Sequence, residues 1–218
     1  MRIPVLIFTC LLSTGLFAQG FTREDYDSHN YETFAKLPAV NAVLEDDTLD
    51  MTLLNAAIFF ETNRQRVLQG LKEFKHSPAL EKAAYEHSLD MVKYNFFSHT
   101  SPVRGKNSMV QRLALVGISN AFSAENIADN YSMNHPAGVS YSIGSDGYYY
   151  QGKKITNRTY LQMAQVFVTQ WMNSPGHRRN ILSPSTIYLG CGAAPSGSGL
   201  KLRFKATQNF SSIKGTEN

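Results

Sequence analysis

Cysteine is nearly absent: the chain of 218 residues has two, Cys10 and Cys191. Cys10 falls in an apolar leader-like run, so the mature protein is expected to keep Cys191 alone. That excludes an internal disulfide, and the fold has to rest on a hydrophobic core. Long apolar runs are missing beyond the first residues, so no later membrane-spanning helix is expected. The strong local zinc signatures, Cys-x-x-Cys and His-Glu-x-x-His, do not occur. Nor does the Gly-x-Ser-x-Gly elbow of many serine hydrolases. Acids are scarce in one half. Residues 130–218 hold only Asp146 and Glu217 against nine Lys and Arg, a net of +7, whereas residues 19–129 carry a net of −4. The paired carboxylates of a retaining glycosidase are therefore not on offer in the second half. No recognition motif supports a nucleic-acid partner. There is no internal repeat, heptad array or low-complexity tract.

What is present reads in order. Residues 1–18, with one Arg, an apolar run from Ile3 to Leu12 and small residues ending at Ala18, read as a cleaved signal peptide. The protein is then expected to be secreted or periplasmic, without a transmembrane segment. Residues 19–50 are polar and acidic with little periodicity and read as a mobile N-terminal arm. Apolar residues at helical spacing predict a long helix from Met51 toward Lys75, and a second starting at Ser77-Pro78 with Leu80, Ala83, Ala84, His87 and Met91 on its inner face. His87 on that stripe reads as a core histidine with a hydrogen-bond partner. A short helix spans 107–116, with Val110, Leu113 and Ala114 on one side. Residues 129–157 are punctuated by Gly and rich in Tyr, and predict a β-hairpin around Ser145-Asp146-Gly147. A helix over Tyr160–Met172 follows, then a buried strand over Ile187–Ala194. The last strand alternates, with Leu200, Leu202, Phe204 and Ala206 in and Lys201, Arg203, Lys205 and Thr207 out. Helices first and strands late predict an α+β domain with helices against an antiparallel sheet.

The chemistry concentrates in Ser174-Pro175-Gly176-His177-Arg178-Arg179-Asn180-Ile181-Leu182. Ser-Pro is a helix start, which sets His177 in the first turn, where the helix dipole favours a neutral imidazole. His99 in Ser98-His99-Thr100-Ser101-Pro102 and Glu125 in Ala124-Glu125-Asn126-Ile127-Ala128 are its candidate companions. Two histidines and a carboxylate suit zinc, or a bound water activated by Glu125. Their separation along the chain leaves convergence open, and each has a plain structural alternative. Asn126 and Asn180 read as loop ties, Gln208 as a brace from the sheet, and Arg178 and Arg179 as an anion clamp or an ion pair. Cys191, flanked by glycines in a buried strand, reads as packing rather than as a nucleophile.

Taken together, FFSHTSP, AENIA and W-M-x-S-P-G-H-R-R-N-I-L resemble the bacterial branch of the CAP superfamily, the SCP domain of cysteine-rich secretory, antigen 5 and pathogenesis-related proteins. Asn63-x-x-Arg66, Leu189-Gly190-Cys191-Gly192 and Thr207-Gln208-Asn209-Phe210 extend the resemblance over about residues 52–211. It implies a three-layer α–β–α sandwich, here a domain over 51–211 with a Tyr-rich insertion at about 129–157 and a tail at 212–218. It also implies a central cleft walled by His99, Glu125 and His177, able to hold zinc or magnesium. A small lipid, sterol-like or cell-envelope ligand is the implied partner, and the protein is expected to act as a monomer. One departure matters. Met172, Asn173 and Ser174 stand where the family has a second acid after the Trp. This favours a non-enzymatic binding module over a metal-dependent hydrolase with Glu125 as general base. An extracellular interaction domain using the basic C-terminal half is the remaining alternative.

Overall fold

The computed structural model describes residues 20–216; the leader over 1–18 lies outside them. The elements are α1 (Asp25–Ser28), α2 (Tyr31–Phe34), α3 (Met51–Leu68), β1 (Lys75–His76), α4 (Pro78–Lys93), α5 (Met109–Ala114) and β2 (Ser123–Tyr131). They continue with β3 (Ser142–Gly144), β4 (Gly147–Tyr150), β5 (Lys153–Lys154), α6 (Tyr160–Asn173), α7 (Pro175–Ile181), β6 (Tyr188–Ser196) and β7 (Arg203–Ser211).

The helix starts follow from capping chemistry. Asp50 accepts from the Leu53 N–H at 2.9 Å and Ser77 from the Leu80 N–H at 3.1 Å, so orphan amides at the starts of α3 and α4 are satisfied. Ser108 with Gln111 and Thr159 with Gln162 form capping boxes for α5 and α6. α7 starts with Pro175 in its first turn, as the sequence predicts, although Ser174 makes no side-chain cap bond. From Leu53 to Asn63, α3 is buried all round and is the central helix of the core.

The main sheet runs β1-β6-β7-β2. β6–β7 and β7–β2 pair antiparallel, but β1 adds to β6 in parallel, with Lys75 opposite Tyr188. The sheet is therefore mixed, which corrects the expectation of an antiparallel one. β1 lies between α3 and α4 and its partner β6 follows only after α7, so no hairpin turn sets their relative direction.

Alternation along β6 and β7 gives the sheet two covered faces. Leu189, Cys191 and Ala193 join the core with α3 and α6. On the other face, Gly190 and Gly192 lie against the α4 backbone. A Cβ on Gly192 would sit 2.1 Å from the Tyr85 N, and one on Gly190 2.0 Å from the Glu81 N. The second face also takes Lys205 and Thr207, which were expected to point to water. Thr207 meets Ser88 of α4 at 2.8 Å, and Lys205 donates to the carbonyls of Met91 and Phe96. Polar alternation marked a face correctly but not what covers it.

The N-terminal arm is not free. Phe34 stacks on Phe60 of α3 at 4.4 Å and the Tyr26 hydroxyl donates to Glu81 of α4 at 2.8 Å. Tyr26, Phe34, Val40 and Leu44 are buried, and their irregular spacing explains why no periodicity announced the packing. The Tyr-rich hairpin forms around Asp146 as expected and gains a third strand, β5, in a separate small sheet.

Gly192→Ala is expected to destabilise the fold by about 3 kcal/mol or more, because the new Cβ meets helix backbone rather than a movable side chain. Urea denaturation checks this, and an unchanged midpoint would mean that α4 does not lie this close to β6.

Candidate functional site

β2 is an edge strand, and its alternation sends neighbouring residues to opposite sides. Glu125, opposite Asn209, faces the α4 side; Asn126, opposite Gln208, faces α3. The Ala124–Ala128 motif lies wholly within this strand.

On the first side, the buried Glu125 carboxylate is surrounded by donors. The Arg112 guanidinium of α5 donates to Oε1 at 2.8 Å and to Oε2 at 2.7 Å. His99 Nδ1 donates to Oε1 at 2.8 Å. Asn209, with its amide nitrogen turned toward the carboxylate, adds a donor to Oε2 at 3.2 Å. Burial pushes the Glu125 carboxyl up, but the His99 hydrogen bond and the Arg112 charge outweigh it and hold it below its ordinary value. The same guanidinium donates to the His99 carbonyl, so one side chain fixes both the carboxylate and the loop that carries the histidine.

Arg112 is the residue that sequence reasoning missed. The expected apolar side of its helix included Val110 and Ala114, yet both are exposed. The inward stripe is half-buried Met109 with buried Arg112, Leu113 and Val116, at i, i+3, i+4 and i+7. A lone carboxylate in an apolar strand demands a cation, and the arginine on that stripe was the available signal.

His87 lies behind the pair, fully buried, with Nε2 donating to the Ser98 carbonyl at 3.1 Å and Nδ1 without a partner among the described residues. It is the core histidine expected. Burial pushes it down to about 4, against the pull of Glu125 4.0 Å away, so it is neutral.

On the other side, amides lock the strand edge to α7. Asn126 donates to Gln208 Oε1 at 3.0 Å and to the His177 carbonyl at 3.2 Å. Asn180 donates to Asn126 Oδ1 at 2.8 Å, and Gln208 donates on to Thr62 of α3 at 2.7 Å. Asn126, Asn180 and Gln208 therefore tie and brace, as the sequence suggested. The His177 ring is lowered by burial and then by the nearby His99, and its Nδ1 has no partner among the described residues. His99 is half-exposed. The two histidines thus approach from opposite sides of the β2 edge, His99 with its Nε2 free of Glu125. Asp146 is far from this chemistry, paired with Lys154 and Tyr149 in the hairpin. Burial pushes the Cys191 thiol well up, which leaves it inert.

A metal ion would need more than this. Among the described residues no three His, Cys, Asp or Glu side chains are grouped to hold one. Catalytic zinc sites use three protein ligands, and magnesium asks for oxygens. Here the carboxylate is taken by Arg112 and two imidazoles remain. The donor set does not fit a resident metal.

Mixed sheet, covering helices and two-histidine edge define an α+β domain of the SCP kind. Residues 119–210 match the model of the CAP family, the cysteine-rich secretory protein family. The chain is similar to the uncharacterized protein YkwD of Bacillus subtilis, 34% identical over 137 residues, which make up 63% of this chain and 41% of YkwD. It spans well under half of that relative. Its fold is similar to that of an extracellular protein containing an SCP domain from Bacillus anthracis, with TM-score 0.52 and 24% identity over 79% of this chain and 45% of that one. An outer surface protein of Borrelia burgdorferi also matches, with TM-score 0.52 and 16% identity over 76% of this chain and 97% of that one. The fold is thus of the SCP kind, and residues 119–210 carry the pattern of the CAP family.

Two outcomes follow from the site. Glu125→Gln leaves the buried Arg112 without a counter-charge and is expected to cost about 3 kcal/mol or more. Adding Arg112→Met should cost less than the sum of the two single changes, and strict additivity in a double-mutant cycle would contradict the pair. His87 gives a pH dependence. Its folded value lies below its unfolded one, so the unfolded chain binds the proton first. The stability it contributes is complete above pH 6.5 and declines as pH falls toward about 4. That loss is on the order of 3 kcal/mol, and His87→Gln should flatten the slope in this window. Equal slopes in denaturation series at several pH values would sink the assignment.

Proposed function

We propose that the protein is an exported, non-enzymatic binding module whose cleft takes a small cell-envelope ligand through the rings of His99 and His177. The observation that carries this reading is the buried ion pair in which Arg112 Nη2 meets both oxygens of Glu125, at 2.8 and 2.7 Å. A carboxylate whose two oxygens are both engaged by a buried guanidinium is a poor general base, because proton uptake would break the pair. Its work is instead to hold His99 by Nδ1, as carboxylates do for oriented histidines elsewhere. What then faces outward is a pair of hydrogen-bonding rings on a braced scaffold, which suits recognition. The hydrolase alternative loses its base, and a divalent cation would enter only with donors supplied by the ligand itself. The leader-like residues 1–18 support export, as does a likeness to an extracellular protein at the level of fold.

Histidine ring signals followed by NMR during addition of soluble muropeptides and lipid headgroups test the reading. His99 and His177 are expected to shift while His76 and His87 stay fixed, and ester, peptide and phosphodiester substrates should not be turned over. Hydrolysis that Glu125→Gln abolishes in a folded protein would contradict the proposal. So would tight zinc binding lost on His99→Ala/His177→Ala.

A further inference from the structure

α7 has a second face that the cleft does not use. His177 and Ile181 point inward, whereas Pro175, Arg178, Arg179 and Leu182 recur at i, i+3, i+4 and i+7 and share the outer side. With Phe122 and Pro184 they wall a groove of about 680 Å³. Neither guanidinium has a partner among the described residues, which sets this pair apart from Arg112. Two free guanidiniums beside apolar walls match a phosphate carried on an apolar body.

The groove opens at one end of the main sheet, where three large apolar side chains project. Phe122 is 57% exposed, Ile187 49% and Ile213 41%. Single exposed apolar residues need no explanation, but hydrogen bonds through Ser211 and Ser212 tie these three together. Ser212 N–H donates to the Phe122 carbonyl at 3.0 Å, Ile187 N–H to the Ser211 carbonyl at 3.0 Å, and Ile213 N–H to Ser211 Oγ at 3.2 Å. They crown the adjoining ends of β2, β6 and β7.

We propose that this pole docks peripherally on a bilayer bearing anionic phospholipids, with Phe122, Ile187 and Ile213 at the headgroup level and Arg178 and Arg179 on lipid phosphates. A free phosphate would satisfy the arginines and leave the apolar crown in water; a membrane interface accommodates both. The net charge of +4 on the whole chain adds a longer-range attraction to an anionic leaflet. No described helix is long and apolar enough to cross a membrane, so this contact would be a surface one.

Co-sedimentation of the full chain with vesicles of phosphatidylcholine, alone or mixed with phosphatidylglycerol, tests the proposal independently of the cleft. Retention is expected on the mixed vesicles only and should fall with salt. Arg178→Ala/Arg179→Ala and Phe122→Ser/Ile187→Ser should each weaken it about tenfold or more. Lys153→Ala/Lys201→Ala, which removes the same charge elsewhere, should leave it within about twofold of the parent. The substituted side chains are exposed, and unchanged thermal melting confirms that each variant is folded. Equal loss in the lysine control would overturn the proposal, as would equal retention on neutral vesicles, absence of retention, or complete competition by glycerol phosphate.

Discussion

The buried pair of Arg112 and Glu125 is the constraint around which the site is arranged. A carboxylate removed from water on a sheet needs a partner of opposite charge and several donors, and here it has both. Meeting that need draws α5 against β2, anchors the His99 loop through its carbonyl and sets the ring by its Nδ1. The arrangement depends on two glycines further along the sheet. Only without side chains at Gly190 and Gly192 does α4 lie close enough to bring His87 behind Glu125 and to share Thr207 and Lys205.

The β2 edge then divides the work. Its α4 side is ionic and its α3 side is a chain of amides, Asn180 to Asn126 to Gln208 to Thr62, which ends on the central helix. Asn126 and Gln208 each both donate and accept, so the chain ties α7 to the strand without adding charge. The histidines end up on braced supports of different chemistry. This suits a recognition surface, because little conformational freedom is left to lose on binding. α7 itself serves two sides, with Asn180 tied to the β2 edge and Arg178 and Arg179 on the outer face.

Much of this was legible in the chain. Helical spacing located α3, α4 and α6, and Ser-Pro marked the starts of α4 and α7, the first of which a capping bond from Ser77 completes. The amide roles of Asn126, Asn180 and Gln208 were also readable, since such residues in apolar strands and short turns require partners. Three things were hidden. The parallel pairing of β1 rests on two residues, too few for any pattern. The docking of the arm rests on irregularly spaced aromatics such as Phe21 and Phe34, which both meet Phe60 on α3, far along the chain. Arg112 was hidden because an amphipathic reading assigns a charged residue to the solvent side, whereas this one belongs to the buried stripe. That miss reversed the meaning of Glu125, from a candidate base to a structural anion.

The most direct test of the account is the tautomer of His99, read from its ring nitrogens by ¹⁵N NMR in the neutral form. Held by the Glu125 anion, the ring should carry its proton on Nδ1 and present an unprotonated Nε2 to the cleft, and Glu125→Gln should relax that preference. A proton resident on Nε2, with Nδ1 bare toward Glu125, would contradict the account.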